Sequence, residues 1–279
     1  MQPIHIWNGL DKPHHKDSDV QEYEAEQWGG MCVFNVTEPT LTIYPPVGED
    51  ANVGVVVLAG GGYTTQAIQH EGYAVALALS QQGITAAVLK YRLPNPKTSD
   101  MPHLVSLADV RQSVKLLKEM GAGNGSGLRR VGLVGFSAGS HLATVACVRK
   151  SQVGKENPDF AGLIYGTANL SPENLKWLEE SLYFRELTET EIASERLLDW
   201  VTHDTPPAFL MHAYDDDICY VQESTLYAEK LFAHGVPVEM HLFAKGGHGF
   251  GLGRDEDGTN QWLGLFVHWV KRLSVLGDQ

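Results

Sequence analysis

A serine between small residues follows an apolar run, in the pentapeptide Gly135-Phe136-Ser137-Ala138-Gly139. The run 131–136 predicts a strand, and the small residues from Ala138 onward predict a helix. A serine on a sharp turn from strand to helix is exposed as a nucleophile, and glycines on both sides let the two elements approach closely. The pattern predicts that Ser137 attacks an acyl carbon, while a serine in an ordinary strand-to-helix turn is the alternative.

Carboxyl groups and a histidine follow the last two predicted strands of the chain. Three consecutive aspartates stand at 215–217, and His248 lies in a glycine-flanked loop. A histidine can take the serine proton and return it to the leaving group, while a carboxylate fixes the histidine tautomer. The chain order serine, acid, histidine is typical of a nucleophile on such a turn. We predict that Ser137, Asp216 and His248 are catalytic, and local spacing leaves Asp215 as the alternative acid.

Three glycines, Gly60-Gly61-Gly62, follow the apolar run 53–59. Without side chains, the main chain can approach a substrate and point its amides at a developing negative charge. We predict an oxyanion hole made by the amides of Gly61, Gly62 and Ala138. A flexible turn and a phosphate cradle are the alternatives. Nucleotide binding is disfavoured because the chain has neither a G-x-G-x-x-G fingerprint nor a P-loop lysine.

The elements that must position these residues alternate between short β-branched runs and longer helical patterns. This alternation predicts a mostly parallel sheet with helices on both faces, in one domain that spans residues 1–279. The predicted strands are 53–59, 84–91, 131–136, 163–165, 209–212 and 238–243, with a leading hairpin of 32–36 and 41–44. Helical spacing occurs at 104–117 and 262–273, and another helix ends at His234, before Gly235 and Pro237.

The segment 167–205 interrupts the alternation and is rich in acidic and aromatic residues. It predicts a short helical insertion, like a small cap, that forms one wall of a substrate pocket. We name Tyr63, Trp177 and Phe250 as candidate substrate-binding residues. Packing of such aromatic rings against the sheet is the structural alternative.

Composition excludes several classes of protein. The 21 basic and 34 acidic residues give a net charge of −13, which repels nucleic acid and anionic membranes. The three cysteines form no C-x-x-C pair, so neither a disulfide scaffold nor a zinc knuckle is expected. The N-terminus lacks a basic and then apolar leader, which predicts a cytosolic location, although a secreted enzyme without its leader would look the same.

Six segments of the chain are specific when taken together. They are Gly60-Gly61-Gly62-Tyr63, 70–72, 89–93, 134–143, 204–207 and 246–251. This series resembles the α/β-hydrolase superfamily, in particular bacterial acetylxylan-esterase-like and feruloyl-esterase-like carboxylesterases, and the resemblance extends from 53 to 273. In such enzymes the acid ends a His-Gly-x-x-Asp pattern. Residues 212–216 match that pattern, which favours Asp216 over Asp215.

Two further residues, Arg92 and Asp109, also match landmarks of these enzymes. Because a buried guanidinium requires a carboxylate or several carbonyls, we predict that the two pair behind the nucleophile turn. The chain departs from the family pattern at Ser140, Cys219 and Gly166. None of these departures removes a catalytic group, but each could reshape the substrate pocket.

The resemblance implies a serine carboxylesterase that hydrolyses short acyl esters, with acetylated sugars or xylan fragments as the substrate class. It implies a small-molecule ester as partner, no nucleic acid or membrane partner, and neither an organic cofactor nor a metal. The oligomeric state is left open. Two other functions are open: an amidase or peptidase of the same fold, such as an arylformamidase-like enzyme, and a ligand receptor that has kept the scaffold without catalysis.

Overall fold

An eight-stranded sheet forms the centre of the computed structural model, which describes residues 2–123 and 127–276. In chain order the strands are β1 (Ile4–His5), β2 (Tyr23–Gln27), β3 (Gly30–Phe34), β4 (Thr40–Tyr44), β5 (Val53–Leu58), β6 (Thr65–Gln66), β7 (Thr85–Lys90), β8 (Arg130–Phe136), β9 (Ala161–Ile164), β10 (Ala208–Ala213) and β11 (Val238–Phe243). The large sheet has the order β1-β4-β7-β5-β8-β9-β10-β11. A smaller sheet has the order β2-β3-β6.

In the order given, the large sheet is parallel from β7 through β11, while the two pairings at one edge, β1 with β4 and β4 with β7, are antiparallel. Every residue of β5 and β10 is buried. Nearly continuous apolar runs are typical of parallel strands covered on both faces, because helices pack on each side. The predicted α/β-hydrolase fold, with its mostly parallel sheet flanked by helices, is confirmed.

Helices connect the strands and cover the sheet. They are α1 (Ala74–Ser80), α2 (Pro102–Gly123), α3 (Ala138–Val148), α4 (Pro172–Leu178), α5 (Glu189–Glu195), α6 (Gln222–Ala233) and α7 (Trp262–Leu276). Helices α2 and α7 contain the two predicted helical patterns, and α6 ends at its cap His234, before Gly235 with φ of 71°. None of the helices in the described ranges is long and apolar enough to cross a bilayer.

The predicted N-terminal hairpin is wrong. Strand β3 pairs with β2 and β6 in the small sheet, whereas β4 pairs with β1 and β7 in the large one. Alternating apolar residues reveal that a segment is extended and which face is buried, but they do not identify its partner. The true hairpin joins β2 to β3 through the two-residue turn Trp28-Gly29.

The order of the strands creates a crevice beside the carboxyl end of β5. The chain passes from β5 to β7 on one side and then to β8 on the other side of β5. Ligands of open α/β sheets bind at such a reversal, outside the carboxyl ends of the strands. Residues 60–62, which we call the glycine loop, follow β5, and Ser137 follows β8. Asp216 and His248 follow β10 and β11. The topology therefore places all of these residues at the same end of the sheet.

The insertion between 167 and 205 is helical, as the sequence predicts. It contains α4 and α5, together with helical turns at Glu179–Tyr183 and Leu197–Trp200. The buried carboxyl group of Glu223 anchors its beginning, because it accepts hydrogen bonds from the amides of Ala168 (2.9 Å) and Asn169 (2.7 Å). The same carboxyl accepts the side-chain amide of Asn174 at 2.9 Å, which fixes α4 against α6.

The predicted pair of Arg92 and Asp109 is present and buried. The Nη2 atom of Arg92 lies 2.7 Å from Oδ1 of Asp109, and the guanidinium also donates to the carbonyl of Pro13 at 2.7 Å. The indole of Trp7 donates to the same carboxylate at 2.7 Å. These bonds join the end of β7, helix α2 and the N-terminal segment, so the pair links parts that are distant in sequence.

Candidate active site

Three side chains contact one another in series at the carboxyl end of the sheet. The Oγ atom of Ser137 lies 2.8 Å from Nε2 of His248, and Nδ1 of His248 lies 2.8 Å from Oδ2 of Asp216. An ionised carboxylate only accepts hydrogen bonds, so the ring proton belongs on Nδ1. Nε2 is then free to accept the serine hydroxyl. The structure thus brings together the three residues that the sequence selects.

The neighbouring aspartate occupies a different position. Asp215 accepts the amide of Gly247 at 2.8 Å and lies 3.6 Å from the ammonium group of Lys245. The hydrogen bond from Gly247 lowers the pKa of Asp215 below its ordinary value, with Lys245 adding to the effect. Asp216, not Asp215, is therefore the carboxylate in contact with His248.

Hydrogen bonds hold Asp216 in its ionised form. Its Oδ1 accepts the amides of Ile218 and Cys219, each at 2.9 Å, and Nε2 of His212 lies 3.2 Å from its Oδ2. Burial by itself raises the pKa of Asp216, but the hydrogen bonds from His212 and His248 outweigh burial and hold that pKa well below its ordinary value. A negative charge beside His248 at neutral pH stabilises the ring when it gains a proton.

The turn at Ser137 is a strained strand-to-helix elbow. Ser137 has a φ of 50°, in the left-handed region that a serine rarely adopts. A Cβ at Gly135 would lie 2.3 Å from the carbonyl oxygen of Gly139, and a Cβ at Gly139 would lie 2.2 Å from that of Leu58. Both glycines are therefore required, and together they let α3 start directly above β5 and β8 with the hydroxyl exposed to the crevice.

The residues predicted to form the oxyanion hole line the same crevice. They are Gly61, Gly62 and Ala138, and none of their main-chain amides donates a hydrogen bond within residues 2–123 and 127–276. The amide of Gly60 differs, because it donates to Oε2 of Glu71 at 2.7 Å. Gly61 has a φ of 129°, and a Cβ there would lie 2.3 Å from the carbonyl of Thr65. The predicted oxyanion residues thus lie beside Ser137 with their amides available.

The crevice opens into a cavity of about 700 Å³, which we call the active-site cavity. Trp177 lines it, as the sequence predicts, and donates its indole N–H to the carbonyl of Gly62 at 3.2 Å. Helix α4, which carries Trp177, belongs to the insertion. The insertion therefore forms part of the cavity wall.

Tyr63 and Phe250 do not line the active-site cavity in the part of the chain that the structure describes. Tyr63 is buried behind Trp177, with the ring centroids 5.5 Å apart, and its hydroxyl lies 2.9 Å from Nδ1 of His141. Phe250 packs edge-on against Tyr165 at 4.5 Å. A contact of these two residues with substrate therefore stays a prediction from the sequence, without support from the cavity lining. Tyr63 has a φ of 63°, a left-handed conformation that no pattern in the sequence reveals.

Several cavity residues were missed by the sequence analysis, and their signals in the sequence are weak. They are Trp28, Glu71, Thr167, Glu173 and Asn174. In the sequence, Glu71 is noted only as part of segment 70–72, one of the six segments that carry the family resemblance. The buried Glu71 accepts hydrogen bonds from Gly60 and, at 2.8 Å, from the hydroxyl of Tyr165.

The thiol of Cys219 is buried and does not compete with Ser137 as nucleophile. Burial raises the pKa of Cys219 far above its ordinary value, and the negative charge of Asp216 acts in the same direction. A thiol is nucleophilic only as the thiolate, so a neutral Cys219 is unreactive. It serves as a small apolar residue in the cavity wall.

Comparison with proteins of known sequence finds relatives that are longer than this chain. An acetylxylan esterase of Xylanibacter ruminicola is 26% identical over 232 residues, which cover 78% of this chain and 45% of that protein. The endo-1,4-beta-xylanase B of Butyrivibrio fibrisolvens is 26% identical over 212 residues, which cover 72% of this chain and 33% of that protein. The chain therefore spans less than half the length of these curated relatives.

A solved structure and a family model agree with the observed fold. The acetyl ester-xyloside bifunctional hydrolase from Caldicellulosiruptor lactoaceticus superimposes with a TM-score of 0.75 and 31% identity, over 86% of this chain and 89% of that one. A model of the alpha/beta hydrolase fold matches residues 55–252, a range that contains Ser137, Asp216 and His248. This match covers most of the chain and confirms the resemblance noted in the sequence. The chain belongs to the alpha/beta hydrolase family.

Proposed function

We propose that this protein is a serine carboxylesterase that hydrolyses short-chain acyl esters, in particular acetyl esters of sugars or xylan fragments. One observation carries the proposal: Ser137 Oγ, the His248 ring and the Asp216 carboxylate lie in series at 2.8 Å each, beside main-chain amides that have no acceptor among the described residues. Hydroxyl, imidazole and carboxylate in this arrangement are the machinery of acyl transfer. Two of the relatives named above, an acetylxylan esterase and an acetyl ester-xyloside hydrolase, support the substrate class.

In the first half of the proposed reaction, Ser137 attacks the ester carbonyl while Nε2 of His248 takes its proton. The carbonyl oxygen becomes an oxyanion that accepts the amides of Gly61, Gly62 and Ala138. Each such donor contributes on the order of 3 kcal/mol of transition-state stabilisation. His248 then gives its proton to the departing alcohol, and an acyl group remains on Ser137.

In the second half, a water molecule replaces the alcohol. Nε2 of His248 takes a proton from this water as it attacks the acyl carbon, and the same amides hold the second oxyanion. Return of the proton to Oγ of Ser137 releases the carboxylic acid. Asp216 remains ionised throughout and stabilises each protonated state of His248.

The charge of the active-site cavity supports a neutral substrate. Glu71 and Glu173 line it, and in the described part of the chain no lysine or arginine does so. The negative net charge of −13 acts in the same direction. Anionic esters would meet repulsion there, whereas a neutral sugar ester would not.

A cytosolic location remains a prediction from the sequence.

The experiment that tests the proposal compares the wild-type protein with Ser137→Ala. We expect the variant to lose at least about 10⁴-fold in kcat on ethyl acetate and on acetylated xylobiose, because the nucleophile is gone. Ser151→Ala, in the loop after α3, is the matched serine control and should keep full activity. Residual activity above a tenth of the wild-type value in Ser137→Ala would reveal another nucleophile.

A second measurement separates the esterase from the other functions that use this scaffold. Wild-type protein is assayed on acetyl esters, a formyl anilide and a short peptide under identical conditions. A higher kcat/KM on the anilide or the peptide would identify an amidase or peptidase. A single acylation of Ser137 without turnover, seen as an added acyl mass, would identify a receptor.

A further inference from the structure

The turn at the tip of the β2–β3 hairpin has an unusual residue in it. Gln27 pairs with Gly30, so the turn consists of Trp28 and Gly29 alone, and their φ values are 51° and 77°. Two-residue turns with positive φ at both positions prefer Asn-Gly, Asp-Gly or Gly-Gly. A bulky aromatic residue in the left-handed region is a strong exception to local preference.

Packing does not explain the presence of tryptophan at this position. Trp28 is 60% exposed. Within residues 2–123 and 127–276, its indole makes neither a hydrogen bond nor a ring contact with another aromatic residue. Residues that break a local rule without gain in packing are expected at functional sites.

The position of the hairpin offers a reason for a tryptophan at its tip. Strand β3 pairs with β6, which directly follows the glycine loop, and the amide of Met31 donates to Oε1 of Gln69 at 2.6 Å. These bonds fix the hairpin beside the crevice, and Trp28 lines the active-site cavity together with Ser137. An exposed indole therefore lies in the wall of the cavity where the substrate is held.

Polar groups of the insertion line the same cavity. Thr167 is nine-tenths buried, and its Oγ1 has no hydrogen-bond partner in the described ranges. Asn174 and Glu173 of α4 also line the cavity. A sugar ring has an apolar C–H face that stacks on an aromatic ring, and hydroxyl groups at its edge that bond to such polar atoms. An indole combined with hydroxyl, amide and carboxyl groups matches both features.

We infer that Trp28 is a stacking platform for the sugar ring of the alcohol part of the substrate, so that the enzyme selects neutral pyranose esters over esters of small alcohols. This inference rests on the proposed esterase function for its catalytic arm. Binding of the sugar does not require turnover, so a second arm tests the platform without it.

The catalytic arm uses Trp28→Asn, which places the preferred residue at this turn. We expect kcat/KM for acetylated xylobiose to fall about tenfold, or about 1.4 kcal/mol, mainly through KM. The kcat/KM for ethyl acetate, whose alcohol is too small to stack, should fall by less than about threefold, so the loss should be clearly larger for the sugar ester. The thermal midpoint should rise by about 1–3 °C because the strain at residue 28 is relieved. Trp200→Asn, an exposed tryptophan outside the cavity lining, is the matched control.

The binding arm titrates xylotriose into the Ser137→Ala protein, with and without Trp28→Asn, and follows tryptophan fluorescence and calorimetry. We expect Trp28→Asn to weaken binding about tenfold and Trp28→Phe, which keeps an aromatic face, to retain most of it. Equal binding with and without the indole, or no binding to either protein, overturns the platform. Equal loss of activity on both esters would overturn it too, because the hairpin would then act only through structure. If the wild-type protein hydrolyses neither ester, the proposed esterase function is contradicted. The binding arm then still decides whether Trp28 is a platform for the sugar.

Discussion

The hydroxyl of Tyr165 donates to Oε1 of Glu71 at 2.8 Å, and both side chains are buried. Oε2 of Glu71 accepts the amide of Gly60 at 2.7 Å, and the oxygen of Tyr165 accepts the amide of Gly251 at 3.0 Å. This chain of bonds joins the glycine loop, the end of β9 and the loop that carries His248. Glu71 and Tyr165 therefore fix the distance between the amides that would hold the oxyanion and the histidine that would move the proton.

Loss of this link should reduce catalysis more than binding. Tyr165→Phe removes the hydroxyl and both of its hydrogen bonds, and Glu71→Gln leaves one oxygen to serve two donors. We expect each variant to lose about 10–100-fold in kcat with little change in KM, because small misplacements of reacting groups are costly. Steady-state kinetics on ethyl acetate measure the split between kcat and KM.

A second buried tyrosine offers the control for this prediction. The hydroxyl of Tyr183 donates to the buried carboxyl group of Glu195 in the insertion, outside the active-site cavity. Both Tyr165→Phe and Tyr183→Phe should cost about 1–3 kcal/mol in the free energy of unfolding, since each removes a buried hydrogen bond. Only Tyr165→Phe should change kcat. A normal kcat in Tyr165→Phe would show that the link is purely structural.

Mutation of Asp216 should reduce kcat far more than mutation of the neighbouring Asp215. Asp216→Asn removes the charge that stabilises protonated His248 and favours the wrong ring tautomer, so we expect kcat to fall about 10⁴-fold. Asp215→Asn weakens only the contacts to Gly247 and Lys245 and should cost less than about tenfold. Kinetics of both variants on one acetyl ester decide the assignment. The reverse order of effects would assign Asp215 as the triad acid.

The Arg92–Asp109 pair should be important for stability. Asp109→Ala leaves a buried guanidinium without its carboxylate, and we expect the free energy of unfolding to fall by about 3–5 kcal/mol. The exposed pair of Lys16 and Asp100 provides the comparison, and Asp100→Ala should cost less than about 1 kcal/mol. Urea unfolding followed by circular dichroism measures both values. Similar losses in the two variants would mean that Arg92 finds other partners.

The main features of the fold and the three contacting side chains were predictable from the sequence because their signals are local. Each of Ser137, Asp216 and His248 follows a predicted strand, strongly apolar for Ser137 and Asp216, and parallel strands bring such positions to one end of a sheet. The assignment of Asp216 over Asp215 required the family pattern, since adjacent side chains carry no local sign of direction.

The features that sequence reasoning missed depend on contacts between distant segments. Glu71 looks like a solvated charge in the sequence, and only the folded chain brings Gly60 and Tyr165 to its two oxygens. Tyr63 has a left-handed conformation, and β3 pairs with β2 and β6 instead of β4. Turn conformation and strand partnership are decided by tertiary packing, which a single sequence does not encode in a local pattern.

The β2–β3 hairpin lies before residue 55, outside the 55–252 range that the family model matches. Ser137, Asp216 and His248 all lie inside that range. Strand β3 of the hairpin pairs with β6, and the amide of Met31 donates to Oε1 of Gln69, so the hairpin is attached to the segment that follows the glycine loop. The indole that we infer to select the alcohol and the side chains that we propose to break the ester bond therefore lie on separate stretches of the polypeptide, so that a change of this hairpin would alter alcohol preference while the bond-breaking apparatus stays in place.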